Sequence, residues 1–335
     1  MTDISLPVLP TTVIGSYPRP AWLRKVLRLW KTGKFDKEQV EEALNDAVIS
    51  VLSDQVEAGI DIPSDGEQRR DEMVEYFAER IGGFKFYDPI RIWGNAYYRK
   101  PAVYAPLEYR GSIVVREFMF LKSVCNKPVK VTVTGPYTIA DWSFNEYYSS
   151  KEELTFELAK IINREMKALE EAGAPYVQID EPALSTHPDE LDWAIEAINM
   201  AVNNVRIKIG MHVCYGDYSK IIPYLEKLRV SQLALEFANR GFKDIGIVKK
   251  MPEDKELGFG VIDVHNKKIE TTDEVYYAIK RMIEIFPARR LYINPDCGLK
   301  MLPRKIAKEK MRIMVEATRK IRGEVKDDGP VIKIP

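Results

Sequence analysis

Eight short apolar runs, rich in β-branched residues and each closing on Gly, Pro or a polar residue, punctuate the chain at 11–16, 60–67, 129–136, 176–182, 206–214, 232–237, 257–265 and 290–298. Between them lie segments whose apolar residues recur at three-and-four spacing. Among these are 36–59, 151–173 and 271–286, and several end on Gly as a helix C-cap does. Runs that are apolar enough to be buried on both faces are the mark of strands in a parallel sheet covered by helices. Eight such units in alternation predict an α/β fold, a (β/α)8 TIM barrel. The alternative is an open doubly wound sheet, and no GxGxxG follows the first run to support its dinucleotide-binding form. A chain of 335 residues fits one barrel spanning 1–335. The stretch 83–129 is longer than an ordinary connection and rich in Tyr and Arg, so it reads as a hairpin-like insertion between strands 2 and 3, over one mouth of the barrel. The tail, 323–335, reads as loose.

Composition serves mainly to exclude. Fifty basic residues balance fifty acidic ones, which gives no bulk charge for nucleic acid or an anionic membrane. No run of 18 apolar residues occurs, and the N-terminus lacks a basic stretch followed by an apolar one. A cytoplasmic protein without a nucleic-acid or membrane partner is expected. The three cysteines, Cys125, Cys214 and Cys297, are too few and too scattered for a disulfide framework.

In a barrel the chemistry gathers where strands deliver their C-terminal ends. Those ends carry Ser16, Asp65, Glu67, Asp180, Glu181, His212, Cys214, Glu236, His265, Asp296 and Cys297. His212 and Cys214 are two apart, so on an extended backbone both project to the same side and can share an ion. Cys297 leaves the eighth strand and Glu236 the sixth, and both could close a ring around one metal. Imidazole, thiolate and carboxylate together suit zinc better than magnesium or calcium. The bland alternative is that Cys214 and Cys297 are small core hydrophobes. Cys125 is assigned to that role, and His187 to a surface or capping one.

The motifs "HVCYG", "LEFANRG", "IDVHNKK" and "NPDCGLK", with "VIGSYPRP", "VTGPYTIADWSF" and "QIDEPAL", resemble the catalytic domain of cobalamin-independent methionine synthase from about Thr11 to about Leu302. The resemblance implies a zinc site of His212, Cys214, Glu236 and Cys297, at which the thiol of L-homocysteine is activated to accept a methyl group. It also implies that Ser16 and the backbone around Ile14 take the substrate carboxylate, and that Glu67 and Asp180 take its ammonium. On this reading His265 is the catalytic proton shuttle, and Trp142 stacks on a pterin donor. Family enzymes of full length carry two similar barrels, and this chain resembles the catalytic half alone. The chain departs from the family pattern at Ser185 and Thr186, where an acidic pterin-binding residue is expected, and at Tyr97 and Tyr98, in place of an Arg-Cys pair that contacts folate. The implied donor is thus a methylated corrinoid carried by a protein, or a methylated pterin. A corrinoid leaves without a proton, so His265 argues for the pterin and Ser185 with Thr186 against it. Two other functions fit the same residues: zinc-dependent alkyl transfer to another thiol such as coenzyme M, and a non-catalytic zinc-binding barrel.

Overall fold

The computed structural model describes residues 4–93, 96–214, 216–325 and 332–334. Six parallel strands lie side by side in chain order: Lys130–Thr134, Tyr176–Asp180, Lys208–Val213, Gln232–Leu235, Glu256–Gly260 and Leu291–Asn294. Nearly every residue in them is buried, as strands covered on one face by helices and on the other by a packed barrel interior must be. Two further runs close the ring through single bridges. Thr11 pairs with Ile293 and Thr12 with Ile62, both parallel, and Lys130 N donates to Pro63 O at 2.9 Å. Segments 11–12 and 62–63 are therefore the first and second strands, and the sheet is a closed (β/α)8 barrel rather than an open one.

The helices outside the barrel begin and end where their side chains satisfy otherwise orphaned backbone groups. Lys37–Ala58 opens on a capping box between Asp36 and Gln39, and closes on Gly59 at φ 90°. Thr272–Ile283 opens on a capping box between Thr271 and Glu274, and Ser150 caps Lys151–Glu171 through Glu153 N. All three were legible from periodicity and caps.

The insertion is a long antiparallel ribbon. Ile81–Phe86 pairs with Pro101–Tyr109, and within it Ile90–Trp93 pairs with Ala96–Tyr98. Its edge adds Phe144–Asn145 in parallel. That short strand follows the loop leaving the third barrel strand, so the ribbon borders the C-terminal mouth. The chain then returns through helix Val115–Val124.

At the opposite end, Ile4–Leu6 pairs antiparallel with Ile332–Ile334. Leu6 and Ile334 form one cluster with Ile62, Tyr176 and Tyr292, and seal the barrel floor. This corrects the reading of the tail as loose: Ile334 is fully buried there, and that apolar burial anchors residues 332–334. No helix among the described residues is long and apolar enough to cross a membrane.

Candidate metal centre and substrate pocket

Inward-facing positions recur every second residue along each strand, so register decides what meets in the barrel mouth. Asp180 lies beside His212, and His212 beside Ala234. Two residues on, Cys214 faces the same way as His212. A ring nitrogen of His212 and the sulfurs of Cys214 and Cys297 lie within 4.8 Å of one another.

The imidazole is held in one tautomer. Its Nδ1 is 3.0 Å from the Ala234 carbonyl, and since a carbonyl only accepts, Nδ1 carries the proton and Nε2 presents its lone pair. That Nε2 is buried without a hydrogen-bond partner of regular geometry, and a buried lone pair facing two sulfurs is costly unless a cation takes it. The thiols share their protons unequally: Cys214 beside it holds Cys297 well below the usual thiol range, and the same contact raises Cys214. Burial opposes charge on His212, yet the neighbouring Cys297 sulfur raises it to about 9, so without an ion Nε2 also draws a proton, and a metal would take that proton's place on the inward lone pair. Two sulfurs and an inward lone pair form a soft donor set that fits a zinc-like ion and does not fit magnesium or calcium.

Glu236 leaves the sixth strand fully buried. It stands outside the 4.8 Å group, although its charge acts on both cysteines. Asn239 Nδ2 donates to its Oε2 at 3.1 Å, and His265 Nε2 lies 3.6 Å from its Oε1. His265 sits on the rim, its backbone N–H donating to Asp263 at 2.8 Å, and the Glu236 carboxylate beside it raises its pKa.

Two buried carboxylates hold the loops that carry these groups. Asp296 accepts from the backbone N–H of Phe237 at 2.9 Å, Ala238 at 3.0 Å and Asn239 at 2.6 Å. It thereby ties the strand end of Cys297 to that of Glu236. Burial pushes Asp296 up to about 7, against the pull of those three donors. Glu181 accepts from Tyr137 N at 3.0 Å, Thr138 N at 2.7 Å and Thr138 Oγ1 at 2.6 Å, which secures helix Pro136–Asp141 and, at its end, the half-buried Trp142. A Cβ at Gly135 would overlap the Glu181 carboxylate. Gly135→Ala is therefore expected to drive Glu181 off its donors, at a cost of about 2–4 kcal/mol. A lower denaturant midpoint at unchanged m-value would report it.

Beside the metal group stand two acids. Asp180 is buried at the exit of the fourth strand, its Oδ1 accepting from Gln178 Nε2 at 2.6 Å. Glu67 adopts φ 53°, in the left-handed region. Its carboxylate lies where a Cβ on Gly15 would be. Thr132 Oγ1 donates to Glu67 Oε1 at 3.1 Å, and Arg70 is spent on Thr132, with Nη1 on its hydroxyl at 2.9 Å and Nη2 on its carbonyl at 2.7 Å. Arg69 turns to Asn45. Among the described residues neither Glu67 nor Asp180 forms an ion pair with an arginine, and burial together with the charge of Glu67 pushes Asp180 up to about 7. Such a pair of acids is a host for a cation. Ser16 presents its hydroxyl to Gly298, next to Cys297, and Ile14 offers its carbonyl to Gln178 Nε2 at 2.8 Å.

A sequence profile described as the catalytic domain of the cobalamin-independent synthase matches residues 9–320. The chain belongs to the cobalamin-independent methionine synthase family. The methionine synthases of Sulfurisphaera tokodaii and Saccharolobus solfataricus are each 55% identical over 325 residues, covering 97% of this chain and 96% and 98% of theirs. The B12-independent methionine synthase of a Shewanella species, solved in complex with selenomethionine, matches with a TM-score of 0.86 at 29% identity, over 95% of this chain and 98% of that one. A methyltransferase from Methanosarcina mazei shares the fold, with a TM-score of 0.68 at 15% identity over 94% of each chain. This family member is a methyltransferase.

The structure brings together the sequence-predicted His212, Cys214 and Cys297, sets Glu236 and His265 against one another beside them, and gathers Ile14, Ser16, Glu67 and Asp180 at the same mouth. Cys125 is half-buried against the core, and His187 pairs with Asp141 at 3.2 Å; neither joins the metal group. The single hydroxyl hydrogen of Ser185 lies between two acceptors, the Cys214 carbonyl at 3.0 Å and the Pro182 carbonyl at 3.2 Å. The side chains of Tyr97 and Tyr98 lie outside the described residues. Sequence reasoning missed Gln178 and Lys130 and the loop-holding work of Asp296 and Glu181. For Gln178 a signal existed, since it stands two residues before Asp180 on the same face of a strand.

Proposed function

We propose that this methyltransferase transfers a methyl group to the thiol of L-homocysteine, forming L-methionine, at a zinc ion held by His212, Cys214, Glu236 and Cys297. The observation that carries this reading is the meeting of two thiols and an inward-facing imidazole beside two acids that, among the described residues, have no arginine partner. Bound there, zinc supplies Lewis acidity that lets the substrate thiol lose its proton near neutral pH, while two thiolates and a carboxylate keep the site rich in electrons.

The protein's own groups do the rest. Asp180 and Glu67 receive the substrate ammonium, whose charge relieves the repulsion between them. Ser16 Oγ and the backbone around Ile14 receive the carboxylate. Holding both ends of the amino acid fixes where its thiol points. Were the donor a pterin, His265, on the rim against Glu236, would move a proton through Nε2 at its leaving group, and Trp142 would be the surface on which it stacks. A sulfonate thiol such as coenzyme M has no ammonium for Asp180 and Glu67, which favours homocysteine as acceptor.

On the donor side, Ser185 favours a methylated corrinoid. Where the family pattern has an acidic pterin ligand, the hydroxyls of Ser185 and Thr186 are each spent on a backbone carbonyl. Methionine formation is expected to run faster with a methylated corrinoid than with methyltetrahydrofolate, and the reverse order would overturn that choice. X-ray absorption at the zinc edge tests the whole reading: homocysteine is expected to add a sulfur neighbour, and an unchanged shell in metal-replete protein would sink it.

A further inference from the structure

Two groups assigned above to the amino-acid end of the substrate, Asp180 and the Ile14 backbone, hang from one buried amide. Gln178 is fully buried, and its Nε2 donates both to Asp180 Oδ1 at 2.6 Å and to Ile14 O at 2.8 Å. A carboxamide has two ends of nearly equal shape, one donating and one accepting. Were it reversed, an oxygen would face a carboxylate and a carbonyl, and all three would repel.

Lys130 forbids the reversal. It is buried on the third strand, and its Nζ donates to Gln178 Oε1 at 2.6 Å. An ammonium has no lone pair, so the amide oxygen must face Lys130 and the NH2 must face the pocket. Burial draws Lys130 down to about 7, while the charges of Asp180 and Glu67 oppose that fall, so its ammonium form is coupled to an ionised pocket. The Tyr176 ring, 5.5 Å from Nζ, gives the buried cation a second favourable neighbour.

We propose that Lys130 and Gln178 act together as specificity-determining positioning residues: Lys130 orients the Gln178 amide, and the amide, braced on the Ile14 carbonyl, aims Asp180 so that the pocket selects a ligand bearing an α-ammonium. Neither residue touches substrate; both act through Asp180 and the Ile14 backbone. The inference rests on reading this pocket as the amino-acid site, and it adds the device that sets the selection.

The test is calorimetric binding of L-methionine and of γ-(methylthio)butyrate, which lacks only the amino group, to the zinc-loaded protein and two variants. Gln178→Met removes both donors but strands the Lys130 ammonium. The double variant Lys130→Met with Gln178→Met removes that charge as well and leaves an apolar pair of similar volume, a replacement that buried charged groups commonly tolerate. Zinc content and thermal midpoint are measured alongside. The wild type is expected to prefer methionine by at least ~30-fold. In the variants that preference is expected to fall about tenfold or more, methionine being weakened more than the ligand without an amino group, because the hydrogen bond to the charged Asp180 is lost. Variants that keep the wild-type preference, or that weaken both ligands equally, overturn the positioning role. A wild type with no preference instead overturns the amino-acid reading of the pocket. If the single variant fails to fold, the double variant decides.

Discussion

Cys297→Ser is expected to lower zinc affinity by at least ~100-fold and to bring methionine formation below detection at limiting metal. Loss of even an outer-shell partner of a metal ligand costs about 10–100-fold, and here a soft thiolate would be exchanged for a hydroxyl that does not ionise near neutral pH. The position is also the hub of the group, since its sulfur is the neighbour that shifts both His212 and Cys214. Without it Cys214 loses the partner to which it is paired. Cys297 is only partly buried, so the metal-free variant should keep the thermal midpoint of the metal-free wild type. Chelator competition and elemental analysis measure the first effect and a methionine assay the second. Full zinc content with normal turnover would remove Cys297 from the site.

Asp180→Asn is expected to raise KM for homocysteine by at least ~30-fold with a small change in kcat. Truncating one partner of a buried, hydrogen-bonded charge pair costs about 2 kcal/mol or more, which corresponds to that factor. The ammonium is held equally before and during methyl transfer, so its loss weakens ground state and transition state alike and appears in KM. The substitution keeps the side chain's shape and leaves Gln178 an oxygen to donate to. Zinc content should therefore not change. An unaltered KM would mean that the ammonium is bound elsewhere.

Much of this site was legible because strand periodicity and strand ends are local properties. The run "RIKIGMHVC" shows by its length and apolar content that it is a buried strand, and the two-residue spacing of His212 and Cys214 then puts both on one face. The helices at 37–58, 151–171 and 272–283 announced themselves through capping residues and three-and-four spacing. The first two barrel strands read as clearly as the others in sequence, yet they join the sheet through isolated bridges. That difference depends on ring closure, which no window of sequence contains. Likewise the tail at 332–334 has no strand signal of its own strength, and it is ordered because Ile334 fills the barrel floor against Leu6.

The barrel and the soft donor set follow from residue type, period and order along the chain, and the pairing of Glu67 with Asp180 from the family resemblance. The folded chain alone sends Arg70 to Thr132 rather than to Glu67 or Asp180, clamps the Glu236 loop on Asp296, and sets Lys130 against one end of the Gln178 amide. Each of these is a choice among hydrogen-bond partners far apart in the chain, and such choices are made by through-space distance and by which group can donate, quantities that exist only once the ring has closed.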